Sequence, residues 1–111
     1  MIWRPPASNL LGLPHDINHS LIEWGGPGRV IFSYCRRGNA ISAHFSSDKT
    51  GLKYIKGAIL DFIEFVRSGF PWCKMLLAVV KRGSVARMIR KLDFEYVATS
   101  DDGNNAYMRY I

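Results

Sequence analysis

From Arg29 onward the chain alternates short apolar runs with amphipathic stretches, and the two periods predict its elements. Arg29–Arg36 and Asn39–Phe45 read as two strands joined around Arg37-Gly38-Asn39, a tight hairpin because Gly and Asn tolerate positive φ. In Thr50–Ser68 the apolar residues Leu52, Ile55, Ile59, Phe62, Ile63 and Val66 recur at helical spacing, and Gly69-Phe70-Pro71 stops the helix. Met75–Val80 is an unbroken apolar run, the pattern of a central strand covered on both faces. After Gly83 the residues Val85, Met88, Ile89 and Leu92 give a second amphipathic helix, with Ser84 placed as its N-cap. Residues 94–99 restart extended structure, Asp101–Asn105 is a turn, and Ala106–Ile111 alternates as a last strand.

The predicted order is β-β-α-β-α-β-β, a mixed α/β sheet with helices on its faces. Residues 1–28 carry no sustained period. They read as an irregular segment containing a turn at 10–13, a short piece at 20–24, and the breaker Gly25-Gly26-Pro27-Gly28. The chain is therefore one domain: residues 29–111 form the folded body and 1–28 an N-terminal extension.

Composition changes this picture in three ways. Apolar residues make up 48% of the 111 positions, so burial offsets chain entropy and disorder is excluded. The longest apolar run is far too short for a membrane span, and MIWRPPASNLLGLPHD lacks the apolar core of a signal peptide, so a cytoplasmic location is the expectation. Fifteen Lys and Arg against nine Asp and Glu give +6, which favours acidic partners: a phosphate-bearing ligand, an acidic protein surface, or nucleic acid, for which no recognised motif is present. Arg87, Arg90 and Lys91 fall opposite the apolar face of the second helix. Cys35 and Cys73 have no metal-ligand spacing and read as two reduced, buried thiols. His15 and His19 stand four apart without a third ligand, so no metal is expected.

The stretch KMLLAVVKRGSVARMIRKLDFEYV, residues 74–97, resembles the second half of the GCN5-related N-acetyltransferase (GNAT) family. There a strand ends in an Asn/Ser-containing turn and leads into a helix closing with a Lys-Leu-Gly-Phe-like signature. Here the closing residues are Lys91-Leu92-Asp93-Phe94, with Asp in place of Gly. The resemblance covers roughly residues 29–111. It implies a mixed, mostly antiparallel GNAT-like sheet with helices on both faces, its N-terminal part abbreviated. It also implies a cleft splayed open by the centre strand and the following helix, beside the longest helix.

What the resemblance implies about chemistry attaches to particular residues. Acetyl-coenzyme A would bind where the loop after the hairpin opens the long helix, its pyrophosphate on bare backbone amides at the helix N-terminus. Overlaying the family's Gln/Arg-x-x-Gly-x-Gly/Ala signature puts Lys53, Lys56 and Ala58 on its three marked positions, with Gly57 between the last two. Arg82 falls where the family often has a cofactor-contacting Asn, and Ser84 fits the Asn-x-Ser turns of some members. The proton donor for the departing thiolate, four residues before the signature glycine, maps to Ile89, which donates nothing. Tyr96 and Tyr107 are the replacement acids, and His44, titrating near neutral pH, is the candidate base for the acceptor amine, with Glu23 behind it. Two readings follow. One is an acetyl-CoA-dependent N-acyltransferase of an unidentified amine. The other is a catalytically degenerate GNAT-like interaction or structural protein, since KRGSVARMIRKLDFEYV also looks like short proteins of short-tailed bacteriophages, including virion-associated ones.

Overall fold

The computed structural model describes residues 3–7, 9, 11–13, 16–80 and 83–111, and for Gly83 and Ser84 the backbone alone. Seven strands form one sheet: β1 (Trp3–Arg4), β2 (Ser20–Trp24), β3 (Val30–Arg37), β4 (Ala40–Ser47), β5 (Met75–Val80), β6 (Glu95–Thr99) and β7 (Asn105–Tyr110). Their spatial order is β1-β2-β3-β4-β5-β7-β6. Every neighbouring pair is antiparallel except β4 and β5. Among the described residues three helices accompany the sheet: α1 (Lys49–Lys53), α2 (Ile55–Gly69) and α3 (Gly83–Arg90). The mixed, mostly antiparallel α/β sheet expected from the sequence is present.

The β3–β4 hairpin closes with Arg37 opposite Ala40, leaving Gly38 and Asn39 as a two-residue loop with Gly38 at φ 63°. Only Gly takes that conformation without steric cost at the first loop position, and it matches the twist of the flanking strands. The long helix follows its predicted stripe: Ile55, Ala58, Ile59, Phe62, Ile63 and Val66 are buried, and Phe62 stacks on Phe32 with ring centroids 4.4 Å apart. Trp24 fastens β2 to this helix by donating its indole N–H to Asp61 at 2.7 Å.

Three expectations need correction. The helices do not flank the sheet. Buried residues of α2 (Ile59, Ile63) and of α3 (Ile89) meet the same alternate positions of β4 and β5, Ala43, Leu76 and Ala78. The cause is chirality. The crossovers β4-α2-β5 and β5-α3-β6 both join parallel strands and step in the same direction across the sheet, so two right-handed connections leave both helices on one face. The strand 75–80 is accordingly not covered twice: Leu76, Ala78 and Val80 are buried, whereas Met75, Leu77 and Val79 are only half-buried.

Second, the N-terminal segment is not wholly irregular, because β1 and β2 extend the sheet. Arg4, Ala7, Asn9 and Leu11 bond to Glu23, Arg29 and Ser46 on the face that lacks helices. Arg4 donates to Glu23 at 3.0 Å, the Ala7 amide to Glu23 at 3.3 Å, Arg29 to the Asn9 carbonyl at 2.6 Å, and the Ser46 hydroxyl to the Leu11 carbonyl at 3.0 Å. Third, the single helix predicted over 50–68 is two, interrupted at Tyr54, whose backbone (φ −113°, ψ 13°) is not helical.

The turn after α3 preserves the logic of its sequence signature. Asp93 takes φ 67°, Phe94 N–H donates to the Ile89 carbonyl and Asp93 N–H to the Arg90 carbonyl, both at 3.3 Å. This paired capping, with Phe94 buried beside Ile89, is the helix ending that usually calls for Gly at the left-handed position. Arg109 adds a bond to the Leu92 carbonyl at 3.1 Å.

Candidate functional site

The parallel ladder between β4 and β5 runs from Ala40/Met75 to His44/Val79 and stops there. On either side pairing continues: β4 stays bonded to β3 as far as Ser47/Val30, and β5 to β7 as far as Val80/Asn105. Phe45, Ser46 and Ser47 therefore run past the last shared pair, and the two strands part at their C-terminal ends. A cleft of about 470 Å³ occupies the gap. In sheets with parallel strands and crossover helices, the carboxyl ends of strands at such a break are where ligands collect.

Each wall has a structural origin. His44, Phe45, Ser46 and Ser47 come from the free end of β4, and Val79 and Val80 from β5. Leu52 and Ile55 belong to the turn where α1 passes into α2, and Val85 to the first turn of α3. The N-terminal loop adds Leu11, Gly12 and Leu13, and the β6–β7 turn adds Asn104. The described lining is thus mainly aliphatic, its polar members being uncharged groups apart from the titratable His44. The expected cleft beside the long helix is present, bounded by strands and helices together.

Among the described residues His44 is the one sequence-predicted residue that lines it. The ring is half-buried, its Nδ1 is shut from solvent without a hydrogen-bond partner among the described residues, and the His19 ring lies edge-on with centroids 6.0 Å apart. Burial, then the neighbouring His19 and Arg37, holds its imidazole below the ordinary histidine range, while Asp102 pulls the other way. His44 is therefore a neutral imidazole at pH 7. His19 has its own carboxylate, with Nδ1 2.8 Å from Asp16.

The other described candidates lie elsewhere. Lys53, Lys56 and Gly57 are exposed and outside the cleft lining, and Ala58 is fully buried under the sheet. Tyr96 is on the edge strand β6, half-exposed, its hydroxyl 2.6 Å from the Thr99 hydroxyl; Tyr107, which it touches edge-on, is a core residue. Glu23 is buried between Arg4 and Arg29, and its carboxyl is pulled down to about 2, chiefly by Arg29. Arg82 and His15 lie outside the described residues, and of Ser84 only the helical backbone is described. Ile89 is wholly buried.

The start of α1, beside the cleft, is already capped from within the protein. The Asp48 carboxylate accepts from the Gly51 amide at 2.7 Å and the Arg29 amide at 3.0 Å, and the Asp48 amide donates to the Arg29 carbonyl at 3.1 Å. Those two backbone bonds hold the Asp48 carboxyl below its usual range. A Cβ on Gly51 would strike the Arg29 carbonyl, and one on Gly28, at φ 72°, would strike the Gly51 amide. These two glycines are what let the loop before β3 lie directly on the helix start.

Sequence reasoning missed most of the walls. The Ser46-Ser47 pair ending a strand was a readable signal, whereas the contributions of Leu11–Leu13 and Asn104 come from contacts distant in sequence. Both cysteines are buried and free. Among the described residues no helix is long and apolar enough to cross a membrane. No protein-family model matches this chain, and no curated protein matches it.

Proposed function

We propose that this chain is a GNAT-like interaction protein that keeps a ligand cleft between β4 and β5 and does not carry out acetyl-CoA-dependent transfer. The observation that carries this reading is the position of the residues assigned to the cofactor, of which none of the described ones lines the cleft. A pyrophosphate needs bare amides and a positive helix end. The start of α1 is taken by the Asp48 carboxylate, whereas α2, the long helix to which the resemblance assigns that role, opens at Ile55 after Tyr54 with no side-chain cap. Lys53 and Lys56 are directed to solvent outside the cleft, and Ala58 is spent on the core. On this reading acetyl-CoA has no fit at Lys53, Lys56 and Ala58. The exposed Arg87, Arg90 and Lys91 on α3 supply a basic contact face for an acidic protein surface, in keeping with the phage-like resemblance of that segment.

Isothermal titration calorimetry with acetyl-CoA tests the reading. The expected result is no binding heat at millimolar cofactor, and micromolar affinity would overturn it. A second reading, an N-acyltransferase, is favoured by the parting of β4 and β5 next to a neutral His44, and micromolar affinity in the same titration would restore it.

A further inference from the structure

We propose that His44 presents its Nε2–H to the cleft as a fixed hydrogen-bond donor, so that the cleft selects an uncharged ligand bearing a carbonyl or amide oxygen. This rests on the reading that the β4–β5 cleft is the ligand site. A neutral imidazole carries one N–H and one lone pair. The Nδ1 atom is buried with no partner, and an orphaned buried N–H is the costlier arrangement, so the lone pair sits there and the proton on Nε2. A second proton would have to go on that same enclosed Nδ1.

The charged and titratable groups around the ring agree. His19 and Arg37 repel a cationic His44, and Asp102 is the acid that attracts one. Asp16 is engaged by His19. Since His44 lines the cleft while its Nδ1 is enclosed, Nε2 is the nitrogen that a ligand can meet. The cleft it faces is also lined by Phe45, Val79, Val80 and Leu13, with Ser46 already donating to the Leu11 carbonyl. An ion entering this wall would lose its hydration with no Asp, Glu, Lys or Arg in the described lining, whereas a neutral oxygen acceptor needs one donor and gains one. The role differs from the general base that the sequence suggested, because the lone pair a base would use is enclosed.

Two measurements test this. Long-range ¹⁵N–¹H spectra of histidine-labelled protein at pH 7 should show His44 unprotonated at Nδ1 and protonated at Nε2. The opposite tautomer, or an imidazolium, overturns the proposal whatever the cleft binds. Titration with N-butylacetamide, butylammonium and pentanoate, followed by amide shifts of His44 and Val79, should show the amide binding at least tenfold more tightly than either ion. His44→Gln, which keeps a donor, should retain that preference, and His44→Phe should abolish it. Tighter binding of butylammonium overturns the donor assignment. Absence of shifts with all three probes, beside the expected tautomer, overturns the cleft reading and the ligand class with it.

Discussion

Asp48 and Arg29 are joined twice, the Asp48 carboxylate taking the Arg29 amide at 3.0 Å and the Arg29 carbonyl taking the Asp48 amide at 3.1 Å. This reciprocal pair ties the start of α1 to the loop entering β3. It also puts a negative charge at what would otherwise be the positive end of α1.

Replacing Asp48 with Ala removes both carboxylate bonds and leaves the Gly51 and Arg29 amides without that partner. Urea denaturation should show a lower midpoint, and Asp48→Asn, which keeps an acceptor oxygen, should fall between the two. An unchanged midpoint in Asp48→Ala would show that the carboxylate is not a working cap.

Gly51→Ala probes the same seam by size. The added methyl group meets the backbone carbonyl of Arg29, which cannot swing aside like a side chain. The expected loss is about 3 kcal/mol, as for overpacking against a rigid neighbour. Ala at the solvent-facing Gly69, where nothing lies within 4 Å, should leave the midpoint nearly unchanged and serves as the control.

Glu23 gives the pH dependence. Arg29 first, then Arg4 and the Ala7 amide, hold its carboxyl at about 2 against an ordinary 4.5, burial opposing them. The group binds its proton more readily unfolded than folded. Its stabilisation is therefore complete above pH 4.5 and disappears as the pH falls from 4.5 toward 2. Glu23→Gln should cost about 2 kcal/mol at pH 7, below the full value of a buried pair because Arg4 is half-exposed, and should flatten the stability profile between those limits.

Asp93 carries the left-handed residue of the α3 ending at φ 67°. Asp93→Gly should raise stability by up to about 1 kcal/mol by relieving that conformation, and Asp93→Val should lower it by at least as much. A loss of stability in Asp93→Gly would mean that the side chain contributes more than its backbone strain costs.

Much of this fold was legible because local periods decided it. The 55-59-62-63-66 stripe and the Gly38-Asn39 hairpin needed no distant partner. The face covered by the helices was not legible, since an unbroken apolar run such as Met75–Val80 does not say that one side stays half-open. Strand β1 has two residues, too few for a period, and exists through its pairing with Trp24 and Glu23. At the site, His44 was recognisable as a residue but its tautomer was not, because that follows from the enclosure of Nδ1. The overlay on Lys53, Lys56 and Ala58 assigns the cofactor a residue whose burial was readable in the sequence. Ala58 stands three residues after Ile55 and four before Phe62, inside the buried stripe.

The sealed α1 start is tested most directly by ¹H–¹⁵N spectra recorded while inorganic pyrophosphate, and then acetyl-CoA, is added to millimolar concentration. The amides of Gly51, Leu52 and Ile55 should keep their positions, with Gly51 protected from exchange by Asp48. Saturable movement of those three resonances, with Gly51 losing its protection, would contradict it.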